Sequence, residues 1–486
     1  MNPQILSLEP KAIWKNFSAL NAVPRPSKKE AKVRAFIVAF GNRLGLKTVV
    51  DPIGNVIIKK PATKGMENRK AVVLQSHLDM VCQKNDETDF DFETQGIKMY
   101  VDGDWVTAEG TTLGADNGIG VAAIMSILES NDIAHPALEA LFTIDEETGM
   151  TGAKGLQAGY LNGEILLNLD TEEDDEIDIG CAGGIDITAT KTYSEISPKA
   201  IVTAFKLTLN GLNGGHSGMD IHKGLGNANK LLTRLLYNLQ EFAIQIAAFN
   251  GGGLRNAIPR EGHATIVIPN DKVTAFKETL SEQAATFKHE YQKVDANLNI
   301  VLETVAVPNT VMADNDQTSF IKTLYAAHNG VYKMSLDVEG LVETSNNVAN
   351  VIAENGQIKV NCLTRSSVES TKYDLASKLK ATFELGGFKV TFAGSYPGWQ
   401  PNPDSPILKV LTNLYEKIFD KKPDVAACHA GLECGILGTN YPGMDMISFG
   451  PTIRGAHSPD ERASISSTQK FWHFLQEILR EIPVKE

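Results

Sequence analysis

Apolar residues recur along this chain in two rhythms, and the apolar runs keep ending on acidic residues or histidine. Residues 9–21 and 28–44 carry apolar side chains at helical spacing, and the prolines of VPRPS between them interrupt it. KTVVDPIGNVIIKK reads as two strands joined by a turn over Asp51–Asn55. The run AVVLQSHLDMV, residues 71–81, predicts a buried strand that finishes on His77 and Asp79, and the two-residue period of a strand sends both side chains to one face. Residues 84–110 read as an edge hairpin or loop. TTLGADNGIGVAAIMSILES is a Gly-rich turn entering an apolar helix. HPALEALFTIDEETGMTGAKGLQ is a strand, an acidic turn and a helix start, and GEILLNLDTEEDDEIDIG is a second buried strand ending in acid. Strands alternating with helices predict an α/β sheet with helices on both faces, and ligands collect at the carboxyl ends of such strands.

From about residue 185 the pattern changes. FKLTLNGL, FAIQIAAFN and HATIVIP read as strands, with helices over GLGNANKLLTRLLYNL and DKVTAFKETLSEQAATFKHEYQKV. A second run of similar order follows, from LNIVLETV to FKVTFAG; the two runs share no evident identity, so an internal duplication stays a hypothesis. GSYPGWQPNPDSP reads as a linker, after which ILKVLTNLYEKIF, DMISFGPTIRGAHSPDER and a terminal helix return to the first style. The expected layout is one discontinuous α/β domain, residues 1–184 and 397–486, with an α+β domain over 185–396 inserted into it.

Composition narrows the classes. At 486 residues the chain exceeds one ordinary core. Its 46 basic against 59 acidic residues leave a formal charge of −13, which argues against nucleic acid or an anionic membrane surface as the main partner. The five cysteines, at 82, 181, 362, 428 and 434, are odd in number and without a C-x-x-C pair, the pattern of reduced thiols in a cytosolic protein. MNPQILSLEPKAIWKNF has no basic segment followed by an apolar one, and no run approaches the roughly 18 apolar residues of a membrane span. No secretory signal is expected, and cytoplasm is the expected compartment.

His77, Asp79, Asp116, Glu146, Glu147 and Asp170 all follow apolar runs or sit in Gly-rich turns, and His457 in GPTIRGAHSPDER lies just beyond a further strand. Each has an ordinary alternative: a helix cap for Asp116, a solvated helix start for Glu146 and Glu147, a solvated acidic loop for Asp170, a turn residue for His457. Together at one sheet edge, so many carboxylates with flanking histidines repel one another unless cations intervene. A mixed His/carboxylate donor set suits two Zn²⁺, with Mn²⁺ or Co²⁺ as substitutes.

SHLDMV, GTTLGADNGIG, TIDEETGMTGAKGL, LLNLD and GPTIRGAHSPDE resemble the di-zinc metallopeptidases of family M20, and more closely its aminoacyl-histidine dipeptidase branch (peptidase D, Xaa-His dipeptidase, carnosinase-like). KGMENRK, GCAGGIDI, GGHSG, GLGNANKLL, RNAIPRE, YPGWQP and HAGLECGIL extend the resemblance nearly end to end, with residues 290–335 the weakest stretch. The resemblance implies a zinc-peptidase α/β catalytic domain with an inserted lid and dimerisation domain, and a homodimer formed through that lid. It implies that Asp116 bridges two metals, that His77 and Asp170 complete one site and Glu147 and His457 the other, that Asp79 orients His77, and that Glu146 is the general base. His216 in NGGHSGMD is the implied donor to the oxyanion. For a dipeptide substrate, Arg255, Asn256 and Arg365 are candidates for its carboxylate and Glu433 for its amine, with His429 a lesser one; an ordinary surface or hinge role is the alternative for each. The implied reaction is hydrolysis of unblocked dipeptides, Xaa-His dipeptides such as carnosine among them. The rivals are another M20 amide hydrolase (tripeptidase, carboxypeptidase or N-deacylase), a nucleotide-binding α/β protein prompted by GADNGIG, whose Asp116 would repel a phosphate, and a non-catalytic binding protein on the same fold.

Overall fold

The computed structural model describes residues 2–199 and 201–485. By contact density they fall into two compact units, one of residues 1–180, 401–427 and 432–486, the other of 181–400 and 428–431. The divisions lie a few residues outside the 184/185 and 396/397 boundaries expected from the sequence, and four residues near 430 join the second unit.

The first unit is built on an eight-stranded mixed sheet. In spatial order its strands are Lys47–Val50, Val56–Lys60, Leu138–Thr143, Val72–His77, Ile165–Asn168, Asp445–Ser448, Glu176–Cys181 and Asp424–Cys428. The first two form the expected hairpin, its turn held by the Asp51 carboxylate, which accepts from the amides of Gly54 and Asn55. The four central strands run parallel, in a register that pairs His77 with Thr143, Gln75 with Asn168, and Asn168 with Ser448. Every residue of Val72–His77, Leu138–Thr143 and Ile165–Asn168 is buried, the apolar majority and the polar Gln75, Ser76, Glu139, Thr143 and Asn168 alike, as strands covered on both faces require. Parallel alignment brings the carboxyl ends of these strands to one edge, so the segments after His77, Thr143, Asn168 and Ser448 emerge side by side.

The helices Lys11–Asn21 and Ala115–Glu129 pack on each other, and the latter also covers the Val72–His77 strand. Its residues from Asn117 to Leu128 are all buried, so an apolar surface all round, and no amphipathic stripe, is what its position demands. Pro406–Phe419 and Ile465–Glu481 pack together through Tyr415, Phe419 and Phe474. The segment read as an edge hairpin or loop is a hairpin, Met99–Asp102 with Trp105–Ala108. It joins Arg462–Ser464 and Ile453–Arg454 in a separate four-stranded sheet that leaves the main one untouched.

The second unit has a nine-stranded sheet, antiparallel at every recorded pairing, to which both sequence runs contribute; Val342–Glu354 is its longest strand and pairs along Gln357–Ser366. Helices Ala228–Asn238, Val273–Tyr291, Asp314–Ala326 and Glu369–Leu385 enclose a core that includes Phe205, Leu232, Phe249, Phe276, Phe320 and Phe383. The stretch read as a linker is partly ordered by pairing, since Cys181 and Trp399 exchange both backbone hydrogen bonds at 2.9 Å.

Candidate metal centre

The strand end at His77 and the turns after the neighbouring strands converge on one cluster. His77 Nε2 lies 3.1 Å from Asp116 Oδ1 and 3.5 Å from Asp170 Oδ1. On the other side of Asp116, His457 Nε2 is 3.1 Å from Oδ2 and 3.0 Å from Glu147 Oε2. The donor atoms form two groups, His77–Asp116–Asp170 and Asp116–Glu147–His457, each with all members within 4.8 Å of one another. Asp116 belongs to both, presenting one oxygen to each histidine. Glu146 belongs to neither, although its carboxylate lies within 4.8 Å of donor atoms of His77 and Glu147.

Local backbone explains this division of labour. Gly114 adopts a left-handed φ of 68°, and a Cβ there would strike the Arg25 guanidinium. Asp116 and Asn117 are not helical, and the Asp116 side chain makes no capping bond, so the helix-cap alternative does not describe it. Asp79 is fully buried and uses both oxygens: Oδ1 accepts from the Glu146 amide at 3.0 Å and faces His77 Nδ1 at 3.4 Å, while Oδ2 accepts from the Glu147 amide and from Ser27 Oγ. One carboxylate thus orients the imidazole and also anchors the turn that sends Glu146 and Glu147 in different directions.

The electrostatics describe a site in want of positive charge. Burial pushes the Asp170, Glu147 and Glu146 carboxyls up, the last one far. Burial alone would lower His77, but Asp170, Asp116 and Asp79 outweigh it and hold the imidazole well above its ordinary value. Hydrogen bonds to Asp116 and Glu147 raise His457 to about 11. Glu147 Oε1 and Asp170 Oδ1 are buried without a hydrogen-bond partner. Converging nitrogen and oxygen donors, a shared carboxylate and two orphaned buried oxygens fit a pair of divalent cations.

The remaining candidates differ among themselves. Within the second unit, His216 Nδ1 accepts from the Gly218 and Met219 amides, which assigns the ring hydrogen of a neutral imidazole to Nε2. The buried Arg365 donates to Tyr396 Oη at 3.1 Å, with its Nη2 3.4 Å from His216 Nε2. His429 is bonded to Ser345 Oγ and pushed down to about 3 by burial and by Arg365. Asn256 is exposed. Arg255 departs from expectation: its guanidinium faces Asp186 and donates to the Ile187 and Cys362 carbonyls, Thr188 Oγ1 and Asn361 Oδ1. Four of its five N–H groups donate to those oxygens, and Nε lies 3.3 Å from Asp186 Oδ2, so the guanidinium is engaged within its own unit. Glu433, in the first unit, is also not the open amine receptor expected of it. It is completely buried, and its Oε2 accepts from Gln75 Nε2 at 2.6 Å and Thr143 Oγ1 at 2.5 Å.

The family model for peptidase family M20/M25/M40 matches residues 73–481. The chain belongs to this family. It is 45% identical over 483 residues, 99% of its length and 100% of the relative's, to the cytosol non-specific dipeptidase of Escherichia coli. The crystal structure of an aminoacylhistidine dipeptidase from Vibrio alginolyticus superposes with a TM-score of 0.92 at 46% identity, covering 99% of both chains. An aminopeptidase PepT from Bacillus cereus shares the fold at a TM-score of 0.58 and 15% identity, covering 98% of this chain and 99% of its own.

In this M20/M25/M40 peptidase two further residues hold the centre, and sequence reasoning passed over both. The Glu461 carboxylate is buried and accepts four backbone amides: Leu113 and Gly114 on Oε2, Ala115 and Asp116 on Oε1. Arg25 is buried on the carbonyls of Leu78, Asp79 and Gly114. Between them they grip the Asp116 loop by its amides and its carbonyl, and Arg25 also holds the turn after His77. The signals were present: an arginine between the prolines of VPRPS, and a glutamate four residues after His457.

Proposed function

We propose that this peptidase is a two-metal dipeptidase that hydrolyses the peptide bond of unblocked dipeptides, Xaa-His dipeptides such as carnosine among them. The observation that carries the reading is the pair of histidine–carboxylate groups sharing Asp116, with Glu146 beside them but in neither. Full-length similarity to a dipeptidase supports the substrate class. Asp116 is assigned to both cations, His77 and Asp170 to one, Glu147 and His457 to the other. Two divalent cations, Zn²⁺ in this reading with Co²⁺ or Mn²⁺ as substitutes, supply a Lewis acid for the scissile carbonyl and lower the pKa of water toward neutrality. Glu146 takes the proton of the attacking water and returns it to the leaving amine. Asp79 keeps His77 in one orientation and tautomer. His216, with its hydrogen on Nε2, is assigned as donor to the developing oxyanion. Arg365 and Asn256 are retained for the substrate carboxylate.

The compartment proposed is the cytoplasm, supported by the name of the Escherichia coli relative, and the assembly proposed is a homodimer through the second unit. No described helix is long and apolar enough to cross a membrane. A panel of His-containing dipeptides, N-acetyl amino acids and tripeptides tests the substrate class. Turnover of free dipeptides above the others is expected, and a preference for acetylated amino acids or tripeptides transfers the assignment to another M20 amide hydrolase.

A further inference from the structure

Behind the metal centre a line of polar side chains crosses the sheet, fully inside the first unit. Glu433 Oε2 meets Gln75 Nε2 at 2.6 Å, Gln75 Oε1 meets Asn168 Nδ2 at 2.5 Å, and Asn168 Oδ1 meets Ser448 Oγ at 2.5 Å. The line continues from Ser448 Oγ to Thr171 Oγ1 at 2.8 Å, and from Thr171 Oγ1 to Asp178 Oδ2 at 2.7 Å. All six residues are buried, with Leu74, Leu167, Ile177, Ile179 and Ile447 among their buried chain neighbours. Gln75 and Asn168 are cross-strand partners, each two residues before a proposed ligand, His77 and Asp170.

These five contacts each need one hydrogen. The two hydroxyls supply one each. Each amide supplies one, because its nitrogen faces one neighbour and its oxygen the other. Four hydrogens serve five contacts, and reversing the amides only moves the deficit from one end to the other. The missing hydrogen has to come from a carboxyl group at an end.

We propose that Glu433 and Asp178, at opposite ends of this row of cross-strand neighbours, hold a single carboxyl proton between them through Gln75, Asn168, Ser448 and Thr171, which makes Glu433 a positioning residue behind the metal centre. With the proton on Asp178 every donor points toward an ionised Glu433; with the proton on Glu433 every donor points toward an ionised Asp178. Amides do not relay protons. The two states therefore interchange by release of a proton at one end, rotation of the four side chains, and uptake of a proton at the other. Burial agrees with the count, raising Glu433 to about 8 and Asp178 to about 6, and Glu433 keeps one oxygen buried without a partner. His77, Asp170, Asp79 and Glu146 are the charged groups acting on Glu433; Asp424 acts on Asp178, and so does Glu176, which is hydrogen-bonded to it and brings a proton of its own to that contact.

The test is infrared difference spectroscopy of the full-length, metal-loaded protein in the carbonyl stretch of protonated carboxyls. A Glu176→Gln background removes the neighbouring acid. Glu433→Gln and Asp178→Asn each place a permanent donor at one end, so each is expected to lose one carboxyl band, and the double variant loses no more than either single. Ser448→Ala removes two contacts and one hydrogen, which leaves three contacts served by three hydrogens. It is expected to lose the same band without touching an acid, and it serves if an end variant fails to fold. Two bands lost in the double variant, or a band retained in any single variant, overturns the proposal. A second arm rests on the two-metal reading: Asp178→Asn pins the charge at Glu433 and Glu433→Gln pins it at Asp178, so Glu433→Gln should bind Co²⁺ about 10- to 100-fold more weakly than Asp178→Asn. Equal Co²⁺ affinities overturn the positioning role. A wild-type protein that binds no Co²⁺ overturns the metal reading and leaves the spectroscopic result standing.

Discussion

The two histidines on either side of Asp116 are mounted in opposite ways. His77 ends a central strand, its side chain 1% exposed, with Asp79 fixed behind it by two backbone amides and Ser27. His457 sits in a surface turn at a left-handed φ of 64°, its side chain 56% exposed, beside Gly455, also left-handed. The His77 side is part of the sheet and shares its stability. The His457 side is a loop held by the Glu461 bonds to the Asp116 loop and by the small sheet formed with the Met99–Ala108 hairpin. A centre built this way has one rigid half and one half that depends on its supports.

The largest effect that tests this contrast comes from the shared residue. Asp116→Ala should reduce bound metal from about two per chain toward none and abolish turnover, as read by metal analysis; two retained ions would dissolve the shared-ligand arrangement altogether. Glu146→Gln comes next, with kcat down by about 10²–10⁴-fold and metal content unchanged, so that chemistry and binding separate. Chelator treatment should release the ions in two phases, the faster one from the His457 side, and His457→Ala should keep only the slow phase; a single phase in the wild type would show the halves to be equivalent. Glu461→Gln exchanges one acceptor oxygen for a donor facing two amides, and should weaken the metal on the His457 side by about 10- to 100-fold while the fold measured by circular dichroism persists.

The smallest effect lies at the far edge of the sheet. Burial, then Asp178 and Asp424, raise Glu176 from 4.5 to about 8, so the folded chain holds this proton more tightly than the unfolded one. The stability this contributes is present below pH 4.5 and is lost as pH rises to about 8. Glu176→Gln should flatten that part of the Tm–pH curve by a modest amount; an unchanged slope would take Glu176 out of the account.

The strand ends and their acids were legible because a parallel sheet aligns its carboxyl ends, and unbroken apolar runs mark the strands that compose it. What pattern did not carry was contact over long separations. Asp79 reads as a partner for a histidine two residues away, yet its two amide donors lie on Glu146 and Glu147, reached only when two strands pair. Glu433 and Arg255 were candidates for the charged ends of a substrate on residue type alone, and residue type carries no record of packing. Tertiary packing put the first behind Thr143 and turned four N–H groups of the second onto oxygens of its own unit. Arg25 and Glu461 escaped because their partners are backbone groups, which leave no mark in composition.

The hairpin beside the His457 turn sets a constraint on timing. Thr107 Oγ1 donates to the carbonyl of Glu461 across 354 residues of sequence, and the strand Trp105–Ala108 pairs with Arg462–Ser464. Contacts of such span, the pairing of Asp445–Ser448 with Ile165–Asn168 among them, close late in folding, after the local helices. Both halves of the centre therefore wait for the C-terminal part of the chain, which supplies His457, the Glu461 grip on the Asp116 loop and the central strand Asp445–Ser448.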